Sequence, residues 1–241
     1  MGVIVDEKLS WTQHITSLKS KMSRYVGIMY KIKHIIPLTA RLQIFHSFVQ
    51  SHLNYCSLIW GFSAKSNIEA LFAKQKKGIR AIMQGFVNYF YKDGNPPTHT
   101  KTAFAKHKLL TVHSIIVKNA LIFMHKIHHM PLSLPQSVRD TIPADAPTLG
   151  SDHVSCENWL NKFGDCYHNK SVFYKGPLLA ATPSIATLAT SDTLFSNIKP
   201  YKTNTTRMLL EMQALGDQNE WEAGNFLLHN ITGLRRSTRN S

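Results

Sequence analysis

Acidic side chains are scarce in the first half of this chain. Residues 1–130 contain four of them, Asp6, Glu7, Glu69 and Asp93, and no Asp-Asp pair occurs anywhere in the 241 residues. Two-metal phosphoryl chemistry needs several carboxylates facing one another around the ions. Adjacent Asp6 and Glu7 with two distant acids cannot build that cage. Cysteine is scarce too. Cys56, Cys156 and Cys166 are too few for a disulfide framework and point to a reducing compartment. No apolar run approaches the ~18 residues of a membrane span. The start, Met1-Gly2-Val3-Ile4-Val5-Asp6, lacks the positive region and long apolar stretch of a secretory signal. Asp6 also stands where N-myristoylation requires Ser or Thr. The sequons at Asn169, Asn204 and Asn230 then have no secretory route that would use them. The expectation is an intracellular protein, nuclear or cytoplasmic, with no membrane partner.

What the chain has instead is positive charge, concentrated in one half. Residues 1–130 carry eighteen Lys and Arg, a balance of +14, whereas residues 131–241 hold ten of each sign. A field this lopsided favours a polyanion. Apolar residues make up 43% of the chain, enough to supply a core and to argue against wholesale disorder.

Periodicity makes the basic half helical. Ser10-Trp11-Thr12-Gln13 reads as a capping box opening a helix over residues 10–34. Its inner face is Ile15, Leu18, Met22, Tyr25, Val26 and Met29, and its outer face carries Lys21, Arg24 and Lys31. A second helix is expected over 39–53, with a wide apolar arc of Leu42, Ile44, Phe45, Phe48, Val49 and Leu53. Ser66-Asn67-Ile68-Glu69 reads as another capping box. The helix after it buries Ile68, Leu71, Phe72, Ile79 and Ile82 and presents Lys74, Lys76, Lys77 and Arg80. Asp93-Gly94-Asn95-Pro96-Pro97 is a loop. A short basic helix fits 102–110. A longer one fits 112–130, with Ile115, Ile116, Ile122, Phe123 and Ile127 inward and Lys118, His125, His128 and His129 outward. Four prolines without periodicity make 131–150 a linker. Beyond it the signals are weak: helices over 157–163 and 206–215, and a strand over 171–174. Val3-Ile4-Val5 reads as a strand end with no partner in the following hundred residues, as though the chain began inside a domain.

Several landmarks, taken in order, resemble a family. Gly2-Val3-Ile4-Val5-Asp6-Glu7-Lys8-Leu9-Ser10-Trp11 with His14-Ile15 resembles the segment just after the polymerase core in reverse transcriptases of non-LTR retrotransposons, the long interspersed elements. Leu53-Asn54-Tyr55-Cys56 with Trp60-Gly61, and Leu71-Phe72 with Gln75-Lys76-Lys77-Gly78-Ile79-Arg80, resemble the next two landmarks. Phe173-Tyr174-Lys175-Gly176-Pro177-Leu178, Gly216-Asp217, Asn219-Glu220-Trp221 and Gly233-Leu234-Arg235-Arg236-Ser237 are similar to that family's C-terminal region. Ala180 and Ala181 depart from it, standing where Trp-Asn usually follows Gly-Pro-Leu.

The resemblance implies a palm-edge remnant at 1–11, a thumb-like basic domain at 12–130, the linker at 131–150 and a C-terminal region at 151–241. The family's Phe/Tyr-Ala-Asp-Asp turn has no counterpart here, so the expectation is binding without catalysis. The fold class that follows is mainly α: a thumb-like basic helical bundle, then a weakly specified α+β C-terminal region. A thumb lays helices along a template–primer duplex and contacts phosphates without reading sequence. Its candidate contacts are Lys21, Arg24, Lys31, Lys74, Lys76, Lys77, Arg80 and Lys118, and its partner is RNA or an RNA–DNA or DNA duplex.

Other readings stay open at this point. Trp11, Tyr55 and Trp60 are core residues or base-stacking platforms. His125, His128 and His129 form a polar helix face or a metal or phosphate site. His153, Cys156, Cys166 and His168 have loose zinc spacing, and Asp152, Glu157 and Asp165 are candidate nuclease acids. No cofactor or resident metal is expected. A helical protein–protein module and a decayed, functionless fragment are the competing functions.

Overall fold

The computed structural model describes residues 2–83, 100–140, 155–156, 172–180 and 198–215. Of these, 80% are helical and none lies in a strand, so the fold is mainly α. The chain builds α1 (Thr12–Ile32), then α2 (Leu38–Phe45), which runs through a π-helical turn (His46–Gln50) into α3 (Ser51–Asn54). After α4 (Ser57–Trp60) come the long α5 (Lys65–Met83), α6 (Thr100–Lys106) and α7 (Val112–His129). A 3-10 turn (Pro131–Ser133), α8 (Gln136–Arg139), α9 (Val172–Ala180) and α10 (Ile198–Leu215) complete the described elements.

The expected inner row of α1 is the buried row: Ile15, Leu18, Met22, Val26 and Met29 all lie in the core. Its start differs from the expected capping box. The carboxylate of Asp6 accepts from Ser10 N at 3.0 Å, Ser10 Oγ at 2.7 Å and Trp11 N at 2.9 Å. Asp6 thus takes Ser10 N, the donor that Gln13 was expected to serve, and Ser10 Oγ accepts from Thr12 N at 3.4 Å in place of Gln13 N. The second box does not form either. Helix α5 begins at Lys65, so Ser66 sits inside its first turn, and Lys65 and Glu69 pair at 3.6 Å.

In the second helix the π turn inserts one residue and shifts the register. Phe45, Val49 and Leu53 therefore face inward, whereas Phe48 turns out (43% exposed) and stacks on Tyr25 at 4.8 Å. Val3-Ile4-Val5 forms no strand. No strand exists among the described residues to pair with it, and Ile4 N donates to His14 Nδ1 at 3.3 Å.

Helix α7 is the axis of the packing: α3, α4, α5, α9 and α10 all pack on it. One continuous core runs from Trp11 through Ile116 to Leu179 and Leu209, so helices from beyond residue 150 share the interior of the basic half. The strand expected over 171–174 is overturned, since Val172–Ala180 is helical and continues past Gly176-Pro177. Local β-branched and aromatic content favoured a strand there, and docking on α7 decided otherwise. The helix expected over 157–163 and the loop at Asp93-Gly94-Asn95-Pro96-Pro97 lie outside the described residues.

Candidate functional site

Helices α1 and α5 form the most extensive helix–helix contact among the described residues, and two contacts fix their relative direction. Asn67 Nδ2 reaches Thr12 Oγ1 at 3.5 Å. Further along, a Cβ added to Gly78 would lie 3.5 Å from a Val26 methyl and 3.0 Å from the Phe45 ring. Early meets early and late meets late, so the helices run parallel, with Gly78 permitting the close approach. Arg24 then stands about level with Lys77, and Lys21 about level with Lys74, by the ~1.5 Å rise per residue of a helix.

The cations divide into a centre and two flanks. Lys74 lies on the same row of α5 as Asn67 and Gly78, four residues before the latter, and so borders α1. Lys77 and Arg80 are exposed beyond it, and Arg24 and Lys31 are exposed on α1. Lys76 is drawn to the far flank, its Nζ 4.5 Å above the ring of Phe72, which in turn meets Phe104 and His113. Lys21 stands on the opposite flank, where its charge is felt by His14 and His52. Among the described residues, Lys21, Arg24, Lys31, Lys74, Lys77 and Arg80 pair with no acid.

Lys118 is not brought to this face. It is half-buried on α7, and burial together with nearby Lys202 of α10 pushes its ammonium below the usual lysine range. Periodicity had missed Lys19. It shares the row of α1 that holds Thr12 and Val26, half-buried at the seam and about level with Lys74.

Other candidates resolve differently. Trp11 and Trp60 are core residues, and Trp60 Nε1 donates to Tyr55 O at 2.9 Å. His125 does not face outward. It is fully buried, its ring 4.1 Å from that of Tyr201, because α10 covers that side of α7. Burial pushes the Tyr201 hydroxyl up to about 12. His128 is half-buried and His129 exposed. No group of three His, Cys, Asp or Glu is arranged to hold a metal among the described residues. Cys156 is buried, whereas His153, Cys166, His168, Asp152, Glu157 and Asp165 lie outside the described residues.

Four histidines, His14, His52, His107 and His128, are held below the usual imidazole range, in each case chiefly by burial. Neighbouring positive charge adds to it: Lys21 for His14 and His52, Lys106 for His107, and His129 and His125 for His128. The folded chain thus takes up protons at lower pH than the unfolded chain. Stability from these groups is complete above about pH 6.5 and is lost as the pH falls. Urea midpoints should therefore hold above about pH 6.5 and decline from there to pH 5, and a flat or rising profile over that lower range would contradict the assignment.

No protein-family model, no curated protein and no solved structure matches the chain. No helix among the described residues is long and apolar enough to cross a membrane. The structure defines a mainly helical molecule with a basic face on two parallel helices, whose cations meet no acid among the described residues.

Proposed function

We propose that the chain binds nucleic acid through the α1/α5 face, gripping the sugar–phosphate backbone without sequence preference and catalysing nothing by itself. It acts, on this reading, as the thumb and C-terminal region of a non-LTR retrotransposon reverse transcriptase, inside the cell in nucleus or cytoplasm, on RNA or on RNA–DNA or DNA duplex. One observation carries the proposal. Six cations on two adjacent parallel helices stand without acidic partners among the described residues, an arrangement whose mutual repulsion a phosphate backbone relieves. Two of the four acids of the basic half are engaged elsewhere: Asp6 holds the start of α1 and Glu69 pairs with Lys65.

Replacing Lys74, Lys76, Lys77 and Arg80 together by Glu should weaken binding to an RNA–DNA duplex on the order of 10²-fold, with the helical circular dichroism unchanged. Unchanged affinity would remove α5 from the interface. Purified chain given primer–template, Mg²⁺ and nucleotides should extend nothing, and measurable extension refutes the non-catalytic part.

A second reading rests on a separate feature. Exposed Ile28 stands one turn of α1 from Tyr25, which stacks on the exposed Phe48, an apolar strip suited to a partner helix. Salt-insensitive self-association in light scattering, with no affinity for nucleic acid, would favour that reading over the first.

A further inference from the structure

A groove of about 690 Å³ lies between α10 and the turn that joins α6 to α7, lined by Lys108, Lys202, Thr203, Thr206, Arg207, Leu210, Glu211 and Ala214. The seven residues from α10 recur at helical spacing over three turns, so the groove follows the helix axis. Its floor is largely apolar. The hydroxyl protons of Thr203 and Thr206 are donated to the carbonyls of Lys199 and Lys202.

Three cations are distributed along its length. Lys202 and Arg207 are five residues apart, about 7.5 Å along the axis. Lys108 stands at the other end, because the adjoining Leu109 carbonyl accepts from Gln213 Nε2 at 2.9 Å. That places it a further ~9 Å on. Glu211 is the one acid in the lining, and neither it nor the three cations form an ion pair among the described residues.

We propose that this groove holds a single-stranded nucleic-acid segment, with successive phosphates at Lys202, Arg207 and Lys108 and the sugar and base faces against the apolar floor. The inference rests on the reading of the chain as a nucleic-acid binder and assigns it a second, separate track. A groove along one helix with cations at intervals of ~7.5 and ~9 Å follows an extended strand, whereas the two-helix α1/α5 face suits a duplex. Half-buried Lys118 beside Lys202 adds to the positive field at that end.

The backbone of Lys108 supplies independent support. Leu109 N bonds Phe104 O at 2.9 Å and Lys108 N bonds Ala105 O at 3.1 Å, the paired bonds that close a helix through a left-handed residue. Lys108 is that residue, at φ 51, where glycine is preferred. A lysine in this strained position is accounted for if its ammonium is used.

The test uses a uridylate hexamer and a blunt RNA–DNA duplex, each titrated by fluorescence anisotropy. Lys108→Gly should raise the urea midpoint or leave it unchanged while weakening hexamer binding about tenfold. The triple variant Lys108→Gly, Lys202→Ala, Arg207→Ala should flatten the hexamer's log K against log salt slope by about 2, at ~0.7 per phosphate, and leave duplex affinity as it was. An unaltered hexamer slope overturns the proposal, and so does an equal loss on hexamer and duplex. If the wild-type chain binds duplex but not hexamer, the groove assignment alone fails. If it binds neither, the nucleic-acid reading fails and takes the groove with it.

Discussion

Raising the salt from about 50 to 200 mM should weaken binding of this chain to an RNA–DNA duplex about 10³-fold. The magnitude follows from the number of cations the α1/α5 face can bring to a backbone. Arg24, Lys31, Lys77 and Arg80 are exposed, and Lys21 and Lys74 are half-buried beside them, giving ~6 phosphate contacts. Each contact releases condensed counterions, so log K against log salt should fall with a slope of about −5. Because none of these side chains is committed to an acid among the described residues, little of that electrostatic gain is spent breaking ion pairs within the protein. The loss should be the same on duplexes of different base composition, since phosphate contacts carry no sequence information. A slope shallower than about −2 would mean at most two phosphates are engaged, which two parallel basic helices could not explain. A basic surface that is merely solvated would show almost no slope.

Much of that face was legible in the sequence because it depends only on helical periodicity. Ile15, Leu18, Met22, Val26 and Met29 in α1, and Ile68, Leu71, Phe72, Ile79 and Ile82 in α5, are buried as the wheel required, which leaves the cations outside. Periodicity fails where a polar residue is inside. Arg41 is 1% exposed and donates from Nη1 to the Ile82 carbonyl at 2.6 Å, serving an orphan acceptor at the C-terminal end of α5. A wheel assigns such a residue to solvent, since its burial depends on a partner forty-one residues away. His125 was misread for the same reason: Tyr201, which covers it, is 76 residues further on in weakly patterned sequence. Lys108 and the α10 groove were invisible because neither a left-handed lysine nor a groove between distant segments leaves a local signature.

The largest stability effects should come from two glutamines that the sequence marks in no way. The connection between α6 and α7 is buried, from Leu109 to Val112, and its backbone groups must find partners without water. Gln75 of α5 donates to Leu110 O at 2.9 Å and accepts from Val112 N at 2.9 Å, and Gln50 donates to the same Leu110 carbonyl at 3.1 Å. Gln213 of α10 approaches from elsewhere, donating to Leu109 O at 2.9 Å and accepting from Thr111 N at 3.1 Å and Ser114 Oγ at 3.2 Å. Gln213→Leu keeps the approximate volume but leaves a buried carbonyl and a buried N–H without these partners, at ~1–3 kcal/mol each. The variant should therefore lose ~2–5 kcal/mol, a large part of the 5–15 kcal/mol typical of a whole domain, read as a lower urea midpoint at an unchanged m-value.

Gln75→Leu should cost less, about 1–3 kcal/mol, because Gln50 still serves the Leu110 carbonyl, although Val112 N loses its acceptor and Gln50 Oε1 its donor. The ordering matters more than either value. Gln213 bonds α10 to the basic half at Leu109, Thr111 and Ser114, so its removal should expose the amides of α10 to hydrogen exchange before those of α1 or α5. Gln75→Leu should instead loosen the α5–α7 contact that underlies the basic face. A Gln213→Leu chain that unfolds at the wild-type midpoint would mean that α10 does not dock on the 109–112 segment. The groove that its docking creates would then be lost, and the α1/α5 face would stand alone.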